Sequence, residues 1–511
     1  MNGWLLQASH FCNDMKLKEK TLNFIIIILL ALLSIAIYAN SLHGEFLIDD
    51  QAGILNNNRI HNLQEYFSRS FTIKQGILWE LSHVFIWQIA KDNTFFYHLF
   101  LVLLNAGCVI LLYLLCNALF KNRRLAFLAS LIFAVHPIHT EAVSWISSGH
   151  YVFSSFFFIA AILFYVKSSR SILNFILALV SSVLCLLSGS AGITLPVMLI
   201  IYELFFREKT VDDLISSKVR LWILASITLI CAFFAWALFL SRSNFMHKIF
   251  YFRGPSYLIV TIKALAYYLK IIYLPLARGL YHPFAYNTAD INKISPAFFL
   301  SLGIIVISVF AFFRCLKRHK PVSFGIAWFS ITYLPYSNII PICNIVSERY
   351  VYLPSAGICL ILAYLFLKVW DIININYQGR RALRIIAMLA VVLFIISYAV
   401  LTVKRNREYK DIIIFWETNI NNFPDGYMAY NNLAGTYYVM GETEQALAYS
   451  WINLMINKDQ PHVWCNLGKV YLEKADLKNA RYCYEEALKI DKEFLPAIYG
   501  LSLVEKAEKN N

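Results

Sequence analysis

Long apolar runs constrain this sequence more than any other feature. About eleven of them are long enough, or nearly so, to cross ~30 Å of hydrocarbon as helices. They lie at 22–39, 95–118, 125–142, 151–166, 171–188, 192–206, 221–240, 296–313, 321–341, 350–370 and 385–403. The 511-residue chain is 59% hydrophobic and only 15% charged, which is too apolar for a soluble fold. The sequence therefore predicts an all-α polytopic membrane protein.

Lysine and arginine cluster in alternate short loops, namely 121–124, 167–170, 207–220, 314–320 and 380–384. By the positive-inside rule these loops are cytoplasmic. Residues 1–21 are then a cytoplasmic N-terminus, the membrane domain covers 22–410, and its first outer loop is 40–94. A further apolar run at 257–276 breaks the alternation, so we expect it to be re-entrant or interfacial. No nucleic-acid partner is expected.

The first outer loop carries an acidic pair, Asp49-Asp50, about ten residues past the first apolar run. Carboxylates this close to lipid are costly unless a cation, a hydrogen-bond network or a reaction uses them. One interpretation is that either residue caps a short helix at the membrane surface. The other is that 40–94 forms an active-site loop facing the membrane.

The last hundred residues have a different character. From Asp411 onward acidic residues outnumber basic ones by five, whereas the whole chain carries a net charge of +14. Five positions carry the same or a similar residue 34 positions later, in the pairs Tyr430/Trp464, Asn432/Asn466, Leu433/Leu467, Tyr437/Tyr471 and Ala446/Ala480. This spacing is typical of tetratricopeptide repeats, whose two helices pack large residues against small ones. The sequence predicts a C-terminal α-solenoid at 411–511 on the same outer face as Asp49.

Four segments together carry a family resemblance: Leu47–Asn58, His136–Val143, Pro335–Pro341 and Glu348–Ser355. In this order, and followed by the repeats, they resemble the transmembrane and tetratricopeptide-repeat-containing proteins. Those proteins are similar to GT-C glycosyltransferases, which take a sugar from a polyprenyl-phosphate carrier. The resemblance implies a GT-C-like helical bundle before the solenoid. It also implies a polyprenyl-phosphate-linked sugar as donor substrate and no separate cofactor.

The resemblance implies roles for particular residues. Asp49 or Asp50 would act as general base on the acceptor hydroxyl, with the other carboxylate orienting the acceptor or sharing a proton. Arg349 would stabilise the charge that develops on the carrier phosphate. Lys248 and Arg253 are weaker candidates for the same role.

Three further residues are substrate-binding candidates, and each has an alternative interpretation. His139 and Glu141 hydrogen-bond the acceptor or steady the Asp pair, or together with His136 they ligate a metal; we expect no metal. Glu348 either contributes to substrate binding with Arg349 or forms a structural ion pair with it. The ten cysteines are scattered and favour neither a disulfide framework nor a metal site.

The sequence also departs from the family pattern. Where the family has Tyr-Arg-Pro, Gly-Arg-x-Asp and Ser-Lys-Glu, this chain has Leu78-Trp79-Glu80, Gly149-His150-Tyr151-Val152 and Ser188-Gly189-Ser190. Losing arginine and lysine removes phosphate-binding charge. Either His150 and the basic 242–253 loop compensate, or donor and activity have changed, or catalysis is lost.

Three functions follow from these observations. The first is a GT-C-type glycosyltransferase that transfers a sugar from the lipid carrier to a protein or glycan hydroxyl on the extracytoplasmic face. The second is a catalytically silent scaffold whose repeats bind a protein partner. A lipid or polysaccharide transporter ranks last, because the spans are nearly free of charge. We expect a bacterial inner membrane with periplasmic repeats, with the endoplasmic reticulum as the alternative.

Overall fold

The computed structural model describes residues 2–69, 76–168, 171–206, 226, 256–273, 294–339, 342, 346–376 and 381–510. It divides the chain into two compact units between Tyr409 and Lys410. The described residues contain helices and turns but no β-strand. The predicted all-α class is confirmed for this part of the chain.

Sixteen α-helices are described in the membrane unit. They are α1 (Asn2–Tyr38), α2 (Ile48–Asp50), α3 (Asn58–His61), α4 (Leu63–Arg69), α5 (Ile77–Ala90), α6 (Thr94–Phe120), α7 (Arg123–Val135), α8 (Thr140–Ser144), α9 (His150–Lys167), α10 (Ile172–Ser188), α11 (Leu195–Phe206), α12 (Ser256–Tyr273), α13 (Pro296–Cys315), α14 (Lys320–Tyr333), α15 (Tyr352–Asn376) and α16 (Arg381–Asn406). A π-helical segment, Gln51–Leu55, follows α2, and short 3-10 turns link several helices, including Pro137–His139, Ile146–Ser148 and Glu348–Val351.

Six segments of the described chain are long and apolar enough to cross a membrane: Glu19–Ser41, Thr94–Phe120, Ile146–Lys167, Phe298–Cys315, Glu348–Ile375 and Arg381–Tyr409. A seventh crossing is possible if α7 and the 137–144 segment, bent by 51°, form one broken span. The predicted runs 171–188 and 192–206 form shorter apolar helices. The run 221–240 lies outside the described residues apart from Ser226. The count of eleven and the re-entrant 257–276 segment, much of which forms α12, stay predictions.

Close backbone contact and buried polar bonds hold the membrane helices together. Gly325 of α14 faces Gly357 of α15, and a Cβ on either residue would collide with the carbonyl of the other. Small residues let membrane helices approach closely in this way. Asn105 of α6 donates to the Ser34 hydroxyl (3.0 Å) and accepts from the Tyr352 hydroxyl (2.6 Å). These bonds tie α1, α6 and α15 together.

The described part of the predicted first outer loop forms a small folded cap. Helices α2 to α5 lie within 40–94 and bury a cluster of their own around Phe46, Ile54, Tyr66 and Trp79. Leu101 and Ile146 of the bundle belong to the same cluster. The cap is therefore packed onto the helices beneath it, and this packing fixes the position of the acidic pair.

The second unit consists of α17 (Ile412–Asn422), α18 (Tyr427–Val439), α19 (Thr443–Ile456), α20 (Pro461–Glu473), α21 (Leu477–Ile490) and α22 (Leu495–Asn510). Trp464, Leu467, Ala480 and Ala487 are buried as the repeat pattern predicts, while Tyr471 is half-buried. The Tyr484 ring fills the space over Gly468 and Gly500, where a Cβ would lie 2.8 Å or less from it. Large residues thus pack against small ones between successive helices.

Candidate active site

The two acidic residues of the cap have different surroundings. Asp50 is fully buried, and its Oδ1 accepts hydrogen bonds from the Ser147 amide (2.7 Å) and the Ser147 hydroxyl. Its Oδ2 accepts from the Leu47 amide at 2.9 Å. Asp49 is exposed. Neighbouring residues on a helical turn point about 100° apart, so one carboxylate can anchor the cap while the other faces outward.

Burial changes the protonation of the anchoring residue. It raises the pKa of the Asp50 carboxyl to about 7, and the hydrogen bonds from Ser147 and Leu47 oppose that rise. Desolvation disfavours the charged form, whereas donors aimed at both oxygens favour it. Asp50 is therefore suited to fixing the cap on the Ile146–Ser148 turn, and it exposes no oxygen for an acceptor.

Arg349 is held in one orientation by contacts from several directions. Its Nε lies 3.5 Å from Glu141 Oε1, and its Nη1 donates to the Ser148 hydroxyl at 2.9 Å. The guanidinium lies 4.9 Å from the ring of Trp145 and 5.8 Å from that of Tyr151. Aromatic faces attract a cation and keep water from it. The Asp49 carboxylate is within electrostatic range of this guanidinium.

Glu141 supports Arg349 from below. Its side chain is 1% exposed and accepts hydrogen bonds from the Ser347 hydroxyl (2.6 Å) and the Arg349 amide (3.1 Å). A carboxylate with these partners orients the arginine. The acceptor contact expected for Glu141 stays a prediction.

Glu348 belongs to a separate buried ion pair. Its Oε2 lies 2.7 Å from Arg405 Nη2, and Arg405 Nη1 donates to the Pro137 carbonyl at 2.5 Å. Both side chains of the pair are almost completely buried. This bond ties the Glu348–Val351 turn to the end of α16. Glu348 therefore pairs with Arg405, and Arg349 pairs with Glu141, whereas one of the two interpretations of the sequence paired Glu348 with Arg349.

The two predicted histidines lie in different places. His139 is buried, with Nε2 2.7 Å from the Ser355 hydroxyl and its ring 4.2 Å from that of Phe133. It faces the interior of the bundle. His150 is half-buried; its Nδ1 lies 3.0 Å from the Ser147 carbonyl, and it is within electrostatic range of Arg349. Of the two, only His150 lies beside the arginine.

Two further predicted ligands, Lys248 and Arg253, lie outside the described residues. His139 contacts Ser355 of α15, whereas Glu141 contacts Ser347, which precedes the Glu348–Val351 turn. The part of the chain that the structure describes contains no group of three or more His, Cys, Asp or Glu residues placed to hold a metal ion.

Sequence reasoning missed several residues of the site. Ser147 and Ser148 hold Asp50 and Arg349, and Arg405 holds Glu348. Tyr336 stacks on Tyr350 at 5.3 Å and 11°. A buried serine has no distinctive sequence pattern. Arg405 had a weak signal, since a charged residue at the end of the last apolar run has to be solvated or paired.

The departures from the family pattern are accommodated by packing. Trp79 is buried directly over Gly149, where a Cβ would collide with the indole and with Leu101. Its ring also contacts His83 edge-on, with centroids 4.6 Å apart. In the third departing segment, Gly189 packs closely on the Ser154 side chain, and a Cβ there would lie 3.1 Å from the Ser154 hydroxyl. An indole thus fills the space beside His150, next to the arginine site.

Comparisons with known proteins agree with this architecture. The tetratricopeptide repeat model matches residues 461–494. Protein O-mannosyl-transferase F38B6.6 of Caenorhabditis elegans is 26% identical over 452 residues, which is 83% of this chain and 62% of that protein. Protein O-mannosyl-transferase TMTC3 of Mus musculus is 23% identical over 536 residues, or 94% of this chain and 56% of that protein.

The predicted resemblance is thereby confirmed. This chain is similar to the transmembrane and tetratricopeptide-repeat-containing proteins. It spans only about three fifths or less of the length of the curated relatives it matches.

Proposed function

We propose that this TMTC-like chain is a membrane glycosyltransferase acting on the extracytoplasmic face. It would transfer a sugar from a polyprenyl-phosphate carrier to a hydroxyl of a protein or glycan acceptor. The observation that carries the proposal is the exposed carboxylate of Asp49, within electrostatic range of the fixed guanidinium of Arg349. The relatives are named protein O-mannosyl-transferases, so mannose is the sugar to test first.

Each group of the site has a task in such a transfer. The acceptor oxygen attacks the anomeric carbon and forms the new C–O bond, while the bond from that carbon to the phosphate oxygen breaks. The carrier phosphate leaves with the electron pair, and Asp49 takes the proton of the acceptor hydroxyl. Arg349 would stabilise the negative charge on the departing phosphate.

The surrounding residues support this chemistry by fixing the two groups in place. Asp50 holds the cap on Ser147, so Asp49 cannot move far from the arginine. Glu141 and Ser148 hold the guanidinium, and Trp145 and Tyr151 flank it. A site fixed before the substrate arrives loses little energy to rearrangement during the reaction.

The repeats favour a protein as the acceptor. A tetratricopeptide solenoid can hold an extended protein segment, so a protein hydroxyl is the preferred acceptor. The shared outer face of site and repeats rests on the distribution of basic loops. A tag attached at Asn511 should be reached by reagents from the extracytoplasmic side, and labelling from the cytoplasm would overturn this arrangement.

The relatives also bear on the membrane in which the protein lies. The relatives named above come from animals, so they give the expected bacterial inner membrane no support. The endoplasmic reticulum, with its lumen as the extracytoplasmic side, is the alternative.

A reconstituted transfer assay tests the proposal. The full-length protein in lipid vesicles is supplied with polyprenyl-phosphate mannose and a serine- and threonine-rich peptide. The expected result is mannosylated peptide together with free carrier phosphate in equal amounts. A nucleotide sugar in place of the lipid donor should give none. Lack of transfer from any lipid-linked sugar to any acceptor would contradict the proposal.

A catalytically silent scaffold is the second candidate. It is favoured by the packing of Trp79 over Gly149, at positions where the family pattern has arginine nearby. Under this hypothesis glycan profiles of cells with and without the protein are identical, and the repeats alone account for its role.

A further inference from the structure

A cavity of about 830 Å³ lies at the end of the helix bundle opposite the candidate active site. Helix α9 connects the two places, since it begins at His150 beside Arg349 and ends at Lys167 in the cavity wall. Eighteen helical residues span roughly 26 Å. This distance approaches the ~30 Å thickness of the hydrocarbon core, so the cavity lies at the opposite membrane interface.

Three lysines from three different elements line this cavity, at the end of α6, the end of α9 and the start of α14: Lys121, Lys167 and Lys320. Among the described residues that line the cavity there is no aspartate or glutamate. Like charges that share one site repel each other unless an anion lies between them. An anion bound between the exposed Lys121 and Lys167 would reduce the repulsion between these two ammonium groups.

Lys121 and Lys320 are held in the cavity wall in different ways. Lys121 ends α6 with a φ of 50° in the left-handed region, where glycine or asparagine is usual. Lys320 donates its ammonium to the Phe205 carbonyl at 3.1 Å, near the end of α11. That bond fixes its position in the wall, while Lys121 and Lys167 remain exposed.

The remaining wall favours a lipid over a free ion. Aromatic side chains of α6 and α11, Phe120 and Phe206, line the cavity with the lysines. Next to the lining residue Asn174, Ile172 and Leu173 are 74% and 61% exposed, as expected for side chains that contact acyl chains. Basic pockets between membrane helices bind the headgroups of anionic lipids.

We propose that this lysine cavity binds the phosphate headgroup of an anionic phospholipid in the leaflet opposite the active site. Its acyl chains would lie against the exposed apolar residues at the start of α10. The proposal does not depend on the transferase activity, because no residue of the active site takes part in it.

Native mass spectrometry of the full-length protein in neutral detergent tests the proposal. The probes are phosphatidylglycerol, phosphatidylcholine and glycerol 3-phosphate at equal concentrations. We expect a bound phosphatidylglycerol that resists activation, weaker phosphatidylcholine binding and no retained glycerol 3-phosphate. The Lys121→Gln/Lys167→Gln double variant should bind phosphatidylglycerol roughly ten- to thirty-fold more weakly. Lys320 stays unchanged because it also bonds the backbone of α11.

The matched control is the Arg124→Gln/Arg314→Gln double variant. Both arginines are exposed at the same end of the bundle and do not line the cavity. The control loses the same charge and should bind phosphatidylglycerol like the parent. Equal weakening in both double variants would mean nonspecific attraction and overturn the proposal. So would glycerol 3-phosphate binding as tightly as the lipid, or phosphatidylcholine binding equal to that of phosphatidylglycerol.

Discussion

The repeat unit and the candidate active site are built from contacts of very different range. In the repeats, Ala480, Tyr484 and Gly500 pack within a stretch of about twenty residues, and a 34-residue period repeats the pattern. In the site, Glu141 bonds to Arg349, 208 positions along the chain, and Asp50 bonds to Ser147, 97 positions along the chain. Local periodicity therefore reveals the repeats, whereas the site depends on pairings that only the folded bundle creates.

The strongest test of the long-range pairings is the buried Glu348–Arg405 ion pair. Arg405→Met removes the guanidinium that bonds the buried Glu348 carboxylate, and loss of one member of a buried ion pair typically costs about 3–5 kcal/mol. The melting temperature of the purified protein should fall strongly, and Arg407→Met, which changes an exposed arginine, should leave it unchanged. If both variants melt alike, the pair does not hold the turn onto α16.

The Asp50 anchor should appear in the pH dependence of stability. Its pKa is raised from 3.8 to about 7, so the protonated form stabilises the fold. The free energy of unfolding should fall by roughly 4 kcal/mol as pH rises from about 4 to 7, and then level off. Asp50→Asn removes this titration but leaves an amide facing backbone donors, and the variant is therefore less stable at low pH.

The comparison to make is the difference in melting temperature between parent and Asp50→Asn at several pH values. It should shrink as pH rises toward 7. A constant difference over this range would show that Asp50 does not change protonation on unfolding, and the raised pKa would be wrong.

The repeat core allows a test of local packing. Ala480 is fully buried between helices, so Ala480→Trp should overpack α20 and α21 and destabilise the repeats by about 1–3 kcal/mol or more. Hydrogen exchange on the full-length protein should speed up in 411–510 and stay unchanged in the membrane helices. Lys478→Trp, at an exposed neighbouring position, is the control, and the repeats of this variant should exchange as slowly as those of the parent.

The smallest effect concerns the half-buried asparagines of the repeats. Asn466 donates to the Asn431 side chain at 3.3 Å, and Asn432 donates to the Met428 carbonyl of its own helix. Replacing all three with alanine should cost about 1 kcal/mol of stability or less. Transfer to a protein acceptor should weaken several-fold while transfer to a short peptide is spared. If the triple variant transferred sugar to both acceptors at the rates of the parent, these residues would not form the acceptor surface.

The predictability of each part follows from these ranges. The apolar runs and the repeat register required no tertiary information, because hydropathy and period act locally. The acidic pair could be found from the sequence, but the roles of Asp49 and Asp50 could not be told apart. Only the contact between Asp50 and Ser147 distinguishes the buried anchor from the exposed carboxylate. One interpretation of the sequence also paired Glu348 with its neighbour Arg349, whereas Arg405, 57 positions away, bonds to it.

The division of labour between Asp49 and Asp50 is the central claim, and the transfer rate of Asp49→Asn tests it most directly. The control is Glu45→Gln, which removes another exposed carboxylate from the same cap. The account predicts that Asp49→Asn slows transfer by ~10²–10⁴-fold with an unchanged melting temperature, while Glu45→Gln retains the rate of the parent. Full transfer activity in a correctly folded Asp49→Asn variant would contradict it.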